Sequence, residues 1–134
     1  MKALGVHVDR QTVLVAGAVA LGVSLVSLVA YAIVDAIVDF SDDSNWPLAF
    51  YVLILAGMAL GGRVAGRARP DAPLAHGSLA ALSALGVVIF ISVVIDVVMG
   101  NGIVDNLVKL VAQIPMLVAV AALTAFLVAR RAHR

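Results

Sequence analysis

The chain has no cysteine, which excludes disulfides, thiolate metal sites, iron–sulfur clusters and thiol redox chemistry. It has no glutamate either, so all eight acidic residues are aspartates. Charge is scarce, at 13% of residues, and aromatic residues reach only 5%, with Trp46 the sole tryptophan. Three histidines and so few aromatics argue against a haem- or chlorophyll-type helical bundle. No nucleophile–base pair, metal-ligand spacing or phosphate loop is present in the pattern of residues. The expectation is therefore a protein without enzymatic activity, with no catalytic residues, metal or cofactor, and with no nucleic-acid partner.

What fills the chain instead is hydrocarbon. Apolar residues make up 63% of 134 positions, whereas soluble domains are about half apolar and about a quarter charged. One small domain cannot hide that much apolar surface in its own core, so lipid must act as solvent. About 20 mostly apolar residues cross a hydrocarbon layer of roughly 30 Å. Four runs qualify, at about 12–38, 47–65, 74–99 and 107–129. Backbone groups in lipid must be hydrogen-bonded internally, and these runs lack the alternation of barrel strands, so they read as helices. The expected fold is all-α, a polytopic membrane protein with four transmembrane helices in one domain over residues 1–134. Lys2 and Arg10 before an apolar run, with Ala30-Tyr31-Ala32 behind it, imitate a cleavable signal. That run is too long for a signal core and is read as a retained helix.

Charge sorts by side. Lys2, Arg10, Arg63, Arg67, Arg69, Arg130, Arg131 and Arg134, offset by Asp9 and Asp71, leave +6 on one side. Asp35, Asp39, Asp42, Asp43, Asp96 and Asp105, offset by Lys109, leave −5 on the other. The positive-inside rule then places both termini and the middle loop in the cytoplasm. The valine- and alanine-rich, lysine-poor composition suggests a prokaryote, and with it a bacterial inner membrane. The chain also reads as a parallel internal repeat of two tandem hairpins. Asp35 after Ile33-Val34 matches Asp96 after Val94-Ile95, and Arg67 closes the second helix as Arg130 closes the fourth.

Small residues supply the packing surfaces. Gly57, Gly61, Gly62 and Gly66 form two GxxxG faces on the second helix, which fit either a dimer interface or packing inside one four-helix bundle. Gly77, Ala80, Ala81, Ala84 and Gly86 do the same for the third helix, Ala119, Ala122, Ala125 and Ala129 for the fourth, and Gly17 and Gly22 for the first. Ser24, Ser27 and Tyr31 on one face of the first helix, and Thr124 in the fourth, read as interhelical hydrogen-bonding groups, or as serines bonded back to their own helix. Pro115 is expected to bend the fourth helix, and Trp46 to anchor the outer interface.

Two charged groups are candidate sites. Asp35, Asp39, Asp96 and Asp105 form an outer carboxylate cluster that either contacts a cation or basic partner or marks a hydrated helix end. Counting from Arg10, the core is crossed by about residue 32, which favours the hydrated end. Arg63, Arg67, Arg69 and His76 form a cytoplasmic basic cluster for anionic lipid or an acidic partner, or serve topology alone. Arg63 lies a full turn inside Arg67 and either snorkels or pairs within the bundle. A proton-coupled exporter of the small four-helix type needs a carboxylate deep in its first helix, and here that helix is uncharged until Asp35.

Gly61-Gly62-Arg63-Val64-Ala65-Gly66-Arg67, followed by Pro73-Leu74-Ala75-His76-Gly77, resembles the middle of the YrzE-like bacterial membrane proteins. Those are small four-helix proteins of unknown function, so the resemblance implies a fold and no activity. The function expected is helix–helix association, as an accessory subunit of a membrane complex or as a homo-oligomer. The expected partners are the lipid bilayer with other membrane subunits or copies of the chain itself. The alternative is a small channel or transporter whose path begins at the outer carboxylates.

Overall fold

Apolar runs separated by short polar segments fold as four helices in the computed structural model, which describes residues 2–3, 6–38, 45–100 and 102–132. A short antiparallel ribbon precedes them, β1 (Lys2–Ala3) paired with β2 (Val6–His7). The helices are α1 (Arg10–Ile37), α2 (Trp46–Ala68), α3 (Pro73–Met99) and α4 (Ile103–Ala132). All four are long and apolar enough to cross a membrane, the pattern of a multi-pass membrane protein.

Local chemistry sets the ends. Asp9 caps α1: its carboxylate accepts from the Gln11 N–H at 3.1 Å and from the Thr12 hydroxyl at 2.6 Å. Pro47 and Pro73 sit in the first turns of α2 and α3, where a missing N–H costs nothing. Pro70 disfavours helical backbone at Arg69, which adopts φ −134° and ends α2. Gly100 takes a left-handed conformation at φ 68° and closes α3 by donating to the Asp96 carbonyl. α4 begins before Leu107 and runs past Ala129, because backbone hydrogen bonding does not stop where lipid does. It also continues through Pro115.

α1 packs on α2 and α3, α4 packs on the same two, and α2 meets α3 across the bundle. Glycine makes the approach close. A Cβ on Gly61 would stand 2.7 Å from the Ala16 carbonyl oxygen, and one on Gly57 would stand 3.0 Å from the Val23 Cβ. On Gly62 and Gly66 it would collide with the carbonyl oxygens of Ala121 and Ala125. Thus one stripe of α2 faces α1 and the neighbouring stripe faces α4. These pairings also set direction: α2 runs antiparallel to α1 and parallel to α4. Gly77 of α3 similarly meets Ala121 and Ala125, while Gly17 of α1 meets Ala80 and Ser83.

The tight core is confined to one half. The buried apolar residues among those described include Ala16 and Ala20 of α1, Met58 and Ala65 of α2, Ala80, Ala81, Ala84 and Leu85 of α3, and Leu117, Ala121, Ala125 and Ala129 of α4. In the other half the inward positions carry bulkier, half-buried side chains such as Tyr31, Phe50, Ile89 and Leu110. Tyr31 and Phe50 meet there edge to face, with centroids 5.2 Å apart. Ser24, Ser27, Ser83 and Thr124 donate to carbonyls of their own helices rather than across the bundle.

Candidate functional site

Because helices successive along the chain alternate in direction, Arg10, Arg63, Arg67, Arg69, Arg130 and Arg131 come to the same end as the tight core. His76, in the first turns of α3, is fully buried there. Its Nε2 lies 3.1 Å from the Asp9 backbone nitrogen, and its Nδ1 lies 2.9 Å from the Ala72 carbonyl oxygen. A backbone N–H can only donate and a carbonyl can only accept, so Nε2 is the bare nitrogen and Nδ1 carries the proton. His76 therefore ties the cap of α1 to the start of α3 and presents nothing to lipid or to a partner.

Arg69 is also committed. Its guanidinium grips Asp71 through two bonds, at 2.9 and 2.8 Å. That contact holds the Asp71 carboxyl down at about 2 and raises Arg69. The Thr12 hydroxyl lowers the Asp9 carboxyl. Both described carboxylates at this end are thus engaged in local structure.

Arg63 and Arg67 behave differently. They are exposed and line an open groove between α2 and α4 of about 380 Å³, together with Thr124, Leu127, Val128 and Arg131. Among the described residues no acid is paired with Arg63, Arg67 or Arg131, so these three guanidinium groups line the groove without a described carboxylate against them. Of the basic cluster expected from sequence, the fold keeps Arg63 and Arg67 together, removes Arg69 and His76, and adds Arg131. The sequence signal for Arg131 was the Gly62 and Gly66 stripe, which brings α4 alongside the two arginines.

At the opposite end, Ser92, Ile95 and Asp96 of α3 and Lys109, Leu110 and Gln113 of α4 line a cavity of about 290 Å³. Asp96 is only 7% exposed, whereas the depth count places it at a hydrated helix end. Asp35 lies late in α1 and Asp105 in the first turn of α4, with side chains outside the description. Asp39, Asp42 and Asp43 lie outside the described residues. The described part of the carboxylate cluster is therefore Asp96, in a polar recess shared with a lysine and a glutamine. Among the described residues no three histidines or acids stand close enough to hold a metal.

No protein-family profile matches the chain, and neither does any curated protein or solved structure.

Proposed function

We propose that this chain is an integral membrane protein without enzymatic activity that acts through helix–helix association, as an accessory subunit of a membrane complex or as a homo-oligomer. In this reading the arginine end faces the cytoplasm of a bacterium and the aspartate end faces outward. The observation that carries it is the uneven bundle. The GxxxG stripes of α2 are already used on α1 and α4. In the aspartate half the helices meet through half-buried side chains and present Phe90, Val98, Val104 and Val108 outward. Lipid gives helices no hydrophobic reason to associate, so partner choice falls to shape and to polar groups at membrane depth. Ser92, Asp96 and Gln113 supply such groups. α1 parallel to α3 and α2 parallel to α4 is also the arrangement that a repeat of two tandem hairpins requires. The likeness of residues 61–77 to the YrzE-like proteins is compatible with this reading.

Purification in mild detergent, with cross-linking and native mass spectrometry, tests it. A stoichiometric partner or a defined oligomer is expected; a monodisperse monomer with nothing bound overturns the proposal. The polar cavity at Asp96 favours a second reading, a small channel or transporter. Ion flux in liposomes, with Asp35→Asn and Asp96→Asn as controls, decides it, and an absence of flux in the unaltered protein removes it.

A further inference from the structure

We infer that the groove between α2 and α4 is a binding site for one anionic phospholipid, whose phosphate is held by Arg63, Arg67 and Arg131. This inference rests on the membrane reading above. Topology alone requires arginines at this end of the bundle, but it does not require three of them to converge on one groove. Arg63 and Arg67 are four apart on α2, one above the other on the same face. Arg131 completes the set from α4, whose backbone is brought against α2 by Gly62 and Gly66. The described acids that might neutralise the three are taken: Asp71 by Arg69, and Asp9 by the cap of α1. Among the described residues at this end no acid is left to supply the counter-charge.

The groove is also two-faced. Its guanidinium groups present planar, multiply donating surfaces suited to phosphate oxygens. Leu127 and Val128 add hydrocarbon beside the arginines, level with the end of α2, and Thr124 lies a turn further from the arginine end than Val128. Arg63 lies about 6 Å deeper along the helix axis than Arg67, so the cationic lining starts below the level of the outermost arginines. A soluble anion uses only the upper part of such a site. A lipid uses all of it, with headgroup and chain entering from the side.

The test uses the whole protein, purified from membranes that resist carbonate extraction. It is delipidated, then offered equal amounts of dioleoyl phosphatidylglycerol and dioleoyl phosphatidylcholine, with inorganic phosphate in a separate arm, and bound species are counted by native mass spectrometry. One phosphatidylglycerol is expected to be retained in preference to phosphatidylcholine by about tenfold or more. The double variant Arg63→Gln/Arg131→Gln is expected to lose that preference, while Arg10→Gln/Arg130→Gln, with the same charge removed outside the groove, keeps it. Equal retention of the two lipids by the unaltered protein overturns the inference, and that arm needs no variant to fold. Inorganic phosphate binding as tightly as lipid, equal losses in the two double variants, or an acidic protein occupying the groove each overturn it as well. If carbonate strips the protein from the membrane, the membrane reading itself fails, which is a separate result from an inserted protein without lipid preference.

Discussion

Gly62→Ala measures how much the fold depends on backbone-to-backbone contact. The added methyl would be driven into the Ala121 carbonyl oxygen, which belongs to a helix and cannot rotate aside. α2 and α4 must therefore separate. Over-packing of this kind costs about 1–3 kcal/mol, and the better helix propensity of alanine returns about 1 kcal/mol at most. The net expected loss is up to about 2 kcal/mol. Gly22→Ala is the control, because a Cβ there meets nothing within 4 Å. It should gain up to about 1 kcal/mol from propensity alone. The same chemical change at two glycines should thus differ by the over-packing cost, about 1–3 kcal/mol, roughly 5- to 150-fold in the folding constant. The chain has no cysteine, so a dye pair can be placed on α2 and α4 at introduced thiols. Energy transfer across a dodecyl sulfate titration in mixed micelles then reports unfolding. If the two variants unfold at the same detergent fraction, the account of glycine packing given above is refuted.

Three further outcomes are expected. His76→Ala should cost about 1–3 kcal/mol by leaving the Asp9 amide without its acceptor, and nitrogen NMR of the unaltered protein should find the proton on Nδ1; a proton on Nε2 contradicts the tie between α1 and α3. Asp71 should titrate near 2 rather than at its ordinary 3.8, and Arg69→Ala should return it upward. Because the folded value is the lower one, the stabilisation from this pair is complete above 3.8 and fades as pH falls through about 2; an unmoved titration in Arg69→Ala removes the pair as its cause. Ser24→Ala should change stability by less than about 0.5 kcal/mol, since its hydroxyl only doubles a bond to the Ala20 carbonyl within α1; a large loss in the same titration would mean the hydroxyl acts across the bundle.

The four helices were legible because a membrane-crossing run is the plainest signal a sequence can carry, and each expected span lies within a few residues of its helix. The ends were less legible, since Asp105 and Arg130 stop an apolar count but not a helix. The β1–β2 ribbon left no mark, being held by two residues on each side. His76 was read with the arginines because it neighbours the Pro70–Pro73 turn. Its place four before Ala80 and eight before Ala84 was the better guide, for those residues form the buried stripe of α3. The arginine groove depends on which helices become neighbours, and composition along one chain does not state that. Only the glycine pairs at 57/61 and 62/66 hinted that α2 has two partners on adjacent faces.

The bond from the Asp9 amide to His76 joins positions 67 residues apart. A ribosome feeding the chain out from its N-terminus delivers α1 long before α3 exists. The opening segment must therefore emerge with the Asp9 amide still lacking this acceptor, and only the arrival of α3 supplies it. That single imidazole makes the beginning of the molecule a late event in its own biogenesis, so chains halted after α2 are expected to leave their start open to proteases that the finished protein withstands.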